Sequence, residues 1–260
     1  MMKLECEKLC ITQLLELQAT INPDNIAITA PGRTGLTYYH LFNQIKEVVI
    51  QLNAIGVGRN DRVAVSLANG SEMAVAFLAV ACAATCAPLN PAYRAQEFEF
   101  YLRDINAKAL IIQPGVSEIG REVAQGLGIP ILELYPALED QAGLFNLTGV
   151  QTNNPKNSGF AQADDVALVL HTSGTNSRPK IVPLTHSNLC TSAQNIVVAL
   201  NLAESDRCLN VMPLFHIHGL IGVLLSSLST GGSVVCTPGF KAPKFFDWLA
   251  EFRPTWYSAV

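Results

Sequence analysis

Twelve consecutive residues, Met73–Ala84 (MAVAFLAVACAA), carry no charge, hydroxyl or amide. A helix built from them has no polar face and must be covered on every side. The run is far short of the ~18–20 residues that cross a bilayer, so the cover must be protein. Gly219–Leu228 (GLIGVLLSSL) repeats the pattern with almost no polar face. Short apolar runs surround both segments, at Arg62–Ala68, Lys108–Gln113, Pro130–Leu134, Val166–His171, Cys208–Met212, Ser233–Thr237 and Thr255–Val260. Several lack alternation, as strands covered on both faces do. Helical patterns lie between them over Lys8–Ile21, Thr37–Ile55, Glu72–Ala83, Ala95–Asp104, Ser117–Leu127, Thr185–Leu200 and Pro243–Phe252. Ser71 is placed to N-cap the third, while Gly56 and Gly58 punctuate the end of the second. The rhythm predicts an α/β fold: mostly parallel sheets with helices sandwiched between them. Asn153–Gly159 is the one turn-rich polar linker, and no internal repeat is visible.

Composition narrows the class. Charged residues make up 15% of the chain, against a typical ~25%, which excludes a disordered polypeptide. A net charge of −4 without a dense Lys/Arg run argues against a nucleic-acid partner. Seven cysteines form no CxxC pair, so neither a disulfide framework nor a zinc site is expected, and a cytoplasmic setting is. No membrane span or signal-peptide core is expected either.

The chemistry concentrates in Val166–Asn188 (VALVLHTSGTNSRPKIVPLTHSN). An apolar strand runs into Thr172, Ser173, Gly174, Thr175, Asn176, Ser177, Arg178, Pro179 and Lys180, and a helix starts at Thr185. The hydroxyls of Thr172, Ser173, Thr175 and Ser177 can donate to phosphate, Gly174 lets the backbone approach an anion, and Lys180 adds charge. Such a loop after a parallel strand is where α/β sheets place ligands. Read blandly, it is a Ser/Thr linker with a solvated lysine. Other fingerprints fail. Gly174 lies six residues before Lys180 and Ile181 follows, so there is no P-loop; Gly56-Val57-Gly58 stops short of GxGxxG at Asp61. His171 and Thr175 stand where a nucleophile elbow needs glycines.

Thr172–Ile181 resembles the TSG-[ST]-[ST]-G-x-P-K-G loop of the adenylate-forming, AMP-binding superfamily of acyl-CoA synthetases, luciferases and adenylation domains. Four further segments match in the family's order: Thr37-Tyr38, Gly56–Ala64 (GVGRNDRVA), Ala87–Pro91 (APLNP) and Pro213–Gly219 (PLFHIHG). Within it, Pro88–Arg94 and Ser177–Lys180 look most like the oxalyl-CoA-synthetase-like, peroxisomal-type branch.

The resemblance implies ATP, Mg²⁺ and CoA as cofactors and a small carboxylic acid as substrate, joined to the α-phosphate and then to a thiol. It puts Thr172, Ser173, Gly174, Thr175, Asn176, Ser177 and Lys180 on the phosphates, with His216 and Lys180 as catalytic residues. Phe215 and Gly219 would shape the acyl pocket, and no metal is bound by protein side chains alone. Residues 1–260 then form an incomplete large N-terminal domain, with lobes near 1–68 plus 197–260 and 69–196. The C-terminal lid domain is absent on this reading, and a complementary half completes the enzyme. One departure bears on the lysine: Ile181 replaces a glycine, and a β-branched side chain resists positive φ. Two rivals remain: a nucleotide- or acyl-binding remnant, and a serine hydrolase pairing Ser173 with His216. Pro213–Gly219 also reads as a plain strand-to-helix turn, and His216 with His218 as half a metal site.

Overall fold

The computed structural model describes residues 9–149, 157–172 and 179–260. The chain enters on α1 (Ile11–Ile21), forms the short strands β1 (Ile26–Thr29) and β2 (Leu36–Thr37), and runs through α2 (Tyr38–Ala54) into β3 (Arg62–Ser66). Then follow α3 (Ser71–Ala83), β4 (Thr85–Pro88), α4 (Ala95–Asp104), β5 (Ala109–Ile112), α5 (Glu118–Gly126), β6 (Ile131–Pro136) and β7 (Phe145–Thr148). Next come β8 (Val166–Thr172), β9 (Lys180–Thr185), α6 (His186–Leu200) and β10 (Arg207–Asn210). A π-helix (His218–Leu225), α7 (Ser226–Ser229), β11 (Ser233–Cys236), α8 (Ala242–Phe252) and β12 (Trp256–Ser258) complete it.

Two sheets result, ordered β12-β10-β11-β1-β2 and β7-β6-β5-β3-β4-β8-β9. Inner strands are parallel; β2, β7 and β9 add antiparallel pairs at the edges. The α/β architecture with mostly parallel sheets is thus the one observed. β3 joins the sheet of the strands that follow it, so the chain passes between sheets through α2 and its following turn. Helix α3 packs on β3, β4 and β8 on one side and on β11 on the other. All its residues except Glu72 are buried. That is the sandwich its composition demands.

Several local expectations change. Gly70, at φ 154°, is the N-cap of α3; Ser71 is its first helical residue and donates to Glu72 Oε2. The second apolar helix opens as a π-helix and becomes α-helical only at Ser226. Five strands escaped the pattern: β1, β2, β4, β7 and β9. Four of them have four residues or fewer, too short for a period to register. β9 carries Pro183, which reads as a breaker but is tolerated because β9 is an edge strand. Residues 153–156 of the polar linker lie outside the described residues.

Cys10, Cys82, Cys86, Cys190, Cys208 and Cys236 are all free and buried. Burial pushes the thiols of Cys82 and Cys190 up to about 12 and raises those of Cys86, Cys208 and Cys236, so they act as small hydrophobes. No helix among the described residues is long and apolar enough to cross a membrane.

His186, the first residue of α6, is fully buried, and its Nδ1 accepts from the Ile11 N–H at 3.3 Å. Desolvation pushes its pKa down to about 4. The unfolded chain takes up this proton near pH 6.5 and the folded chain only near 4. Stability is therefore full above pH 6.5 and falls as pH drops to about 4, by about 3 kcal/mol in all. Urea midpoints measured across that window should show this loss, and His186→Gln, which keeps an acceptor but cannot titrate, should flatten it.

Candidate active site

Within β8, Leu168 joins the central core cluster and Val169 the cluster under α4 and α5, while Leu170 packs back against the central one. His171 and Thr172 continue this alternation. On the partner strand, Ile181 lies with the α4/α5 cluster and Leu184 with the central one. His171 pairs with Ile181 and Thr172 with Lys180 across the antiparallel ladder. Directly opposed residues share a face. Thr172 and Lys180 therefore stand together, both exposed, at the open end of a hairpin and on the side of the central core. Ser173, Gly174, Thr175, Asn176, Ser177 and Arg178 lie outside the described residues.

The loop does not run straight into α6, as its composition suggested. It returns along β9, and Thr185 then caps α6 by accepting from Asn188 N, while Asn188 Oδ1 accepts from Thr185 N. Ile181 is a strand residue rather than one with positive φ, so its β-branched side chain suits the position and leaves Lys180 undisturbed. The root of β8 is tied as well. Asp165 accepts from Arg59 Nε at 2.7 Å, from Asn60 Nδ2 at 2.8 Å and from Gln162 N at 2.7 Å. Burial raises the pKa of this carboxyl, but the Arg59 guanidinium and the two amide donors outweigh it and hold the value below the usual range. The GVGRNDRVA segment is thus scaffold: Asp61 accepts from Gly58 N and Arg62 donates to Ile105 O.

His216 sits in the other sheet's territory, on the turn after β10. It is exposed, its ring lies 4.5 Å from that of Phe215, and desolvation on its covered side lowers its pKa, which favours the neutral imidazole. His218 Nε2 lies 2.6 Å from Ser258 Oγ at the end of β12. Gly219 is buried, and a Cβ there would sit 2.6 Å from the Pro213 carbonyl oxygen. Its small size thus allows close packing of the π-helix on the turn. Among the described residues no hydrogen bond joins His216 to Thr172 or Lys180, and no group of three or more His, Cys, Asp or Glu is placed to hold a metal ion.

What relates the two halves of the site is Asn69, which nothing in the sequence marked. It follows β3, and its Oδ1 accepts from Leu214 N at 2.7 Å while its Nδ2 donates to Thr237 O at 2.9 Å. Leu214 follows β10 and Thr237 follows β11. The carboxyl end of β3 thus meets the turns after β10 and β11, and the edge between the two sheets there is the candidate crevice. Thr172 and Lys180 lie at the same carboxyl edge of the seven-stranded sheet as the end of β3, and His216 lies two residues beyond Leu214; α/β folds bind ligands at such edges. Asn210 supports the same turn by accepting from Met212 N and donating to Gly219 O.

A family model described as AMP-binding enzyme matches residues 15–260. The chain belongs to the AMP-binding enzyme family. Among its relatives, the oxalate–CoA ligase of Saccharomyces cerevisiae is 40% identical over 91% of this chain and 49% of its own length. A probable CoA ligase of Humulus lupulus is 42% identical over 96% of this chain and 49% of its own. The crystal structure of ATP-bound MatB from Rhodopseudomonas palustris superimposes with a TM-score of 0.77 at 25% identity, covering 96% of this chain and 49% of that one. The chain spans about half the length of the curated relatives it matches.

Asn69→Ala strands a main-chain donor and a buried acceptor at once. Urea unfolding should show a loss of about 1–3 kcal/mol, and a loss under half a kcal/mol would mean that water takes over both partners.

Proposed function

We propose that this chain is the nucleotide-binding portion of an ATP-dependent acyl-CoA synthetase. The observation that carries the reading is the paired exposure of Thr172 and Lys180 at the carboxyl edge of the seven-stranded sheet. Lys180 meets the β- and γ-phosphates as a point charge, and Thr172 donates from the same face. A carboxylate attacking the α-phosphate needs in-line positioning and charge screening rather than covalent help, and this crevice edge supplies both. Ser173, Gly174, Thr175, Asn176 and Ser177 extend the phosphate contacts on this reading. His216, neutral and exposed, borders the acyl-adenylate from the facing sheet. Mg²⁺ enters with the nucleotide, whose phosphates supply its oxygen ligands.

A small carboxylic acid is the substrate class, and oxalate is the first to test, supported by the likeness to the yeast oxalate–CoA ligase. About half of each relative lies outside the match. We therefore assign CoA transfer to polypeptide corresponding to that half, joined to this chain or paired with it. A reducing, cytosolic setting belongs to the same proposal, supported by the six free buried cysteines.

Titration calorimetry of the chain with MgATP decides the central point. Wild type should bind, and Lys180→Ala should weaken binding about tenfold or more, as expected for a lost charge-assisted contact. Binding that is equal in both proteins would remove Lys180 from the phosphate site.

A further inference from the structure

Thr172 and Lys180 occupy only one face of their hairpin. On the opposite face His171 points toward α4, with its side chain 8% exposed. Its Nε2 lies 2.8 Å from Asp104 Oδ2 at the last residue of α4. The imidazole meets the Tyr101 ring edge-to-face at a centroid distance of 4.6 Å, Phe100 lies 6.2 Å away, and Tyr93 stacks on Tyr101 at 4.9 Å. An aromatic wall therefore holds the ring in place and aims one nitrogen at one carboxylate. Among the described residues no hydrogen bond joins α4 to the last two rungs of the hairpin except this one. Further back, β8 is bonded to β4 at Cys86 with Leu168, four residues from the tip. Among the described residues β9 has no strand on its outer side.

We propose that His171 and Asp104 form a positioning pair that anchors the outer face of the β8–β9 hairpin to α4 and so sets the pitch of Thr172 and Lys180 toward a bound nucleotide. The proposal rests on the nucleotide-binding reading above. A strand pair pinned at its base but free at its tip twists, and the length of the Lys180 side chain acts as a lever that magnifies a twist of the last rung at Nζ. Fixing His171, one residue from Thr172 and opposite Ile181, removes that freedom without occupying the crevice. Asp104 and His171 touch neither substrate nor reacting atoms; they act through the rung.

Five variants test it: His171→Ala, Asp104→Ala, these two combined, Asp104→Asn and, as a surface control on the same helix, Glu99→Ala, which removes only the exposed pair with Arg103. Two readouts are taken, MgATP affinity and hydrogen exchange at the amides of residues 170–172 and 180–182. Both alanine variants should bind roughly three- to tenfold more weakly, the range of one lost hydrogen bond, and the double variant should be no worse than either. Asp104→Asn, which keeps an acceptor, should recover most of the affinity, and Glu99→Ala should match wild type. Exchange at the rung should quicken in the alanine variants while urea midpoints stay within those of the control. Wild-type affinity in both alanine variants would overturn the positioning role and leave nucleotide binding intact. Should wild type itself fail to bind MgATP, the nucleotide reading falls, and exchange alone decides the anchor: faster exchange supports it, unchanged exchange overturns it.

Discussion

Removing α3 from water on all sides is the constraint to which the rest of the structure answers. Met73 to Ala83 bring no charge, hydroxyl or amide to any neighbour, so their gain is burial, at roughly 25 cal/mol per Å² of apolar surface. One sheet can cover only one side of a helix. β3, β4 and β8 therefore lie on one side and β11 on the other, with α1, α2 and the π-helix closing the gaps. The helix starts just beyond the carboxyl end of β3, so its position also decides where the carboxyl edges of the two sheets meet. Asn69, in the short connection between β3 and α3, is close enough to hydrogen-bond main chain beyond β10 and β11. The crevice is in this sense a by-product of covering an apolar helix twice.

The two walls of that crevice are made differently. One is the tip of an edge hairpin, where Thr172 and Lys180 gain reach at the cost of support. Asp165 holds its base through Arg59 and Asn60, and His171 holds its tip through Asp104. The other wall is a turn packed against a π-helix, with Gly219 pressed on the Pro213 carbonyl and two asparagines satisfying the main chain around it. His216 lies on this turn.

Much of this was legible in the residues. α4 falls on its expected span of Ala95–Asp104, and α2, α5 and α6 lie within a residue or two of theirs, because their periodicity and caps are local. The concern over Ile181 arose from reading a strand as a loop. With Pro183 in the middle and only six residues, β9 shows neither alternation nor length, and only its pairing with β8 makes it a strand.

Local pattern thus settles which segments must be buried, where helices begin, and which residues bring hydroxyls and charge to a phosphate. Those are properties of neighbours in the chain, carried by spacings of two to four residues. Pairings between distant positions are carried by no such spacing. Asp104 meets His171 across 67 residues and Asn69 meets Leu214 across 145. Asparagine, aspartate and histidine are ordinary surface residues until a fold sets a partner within 3 Å. Folding around α3 makes one of them the tie between two sheets and the other two the anchor of a hairpin.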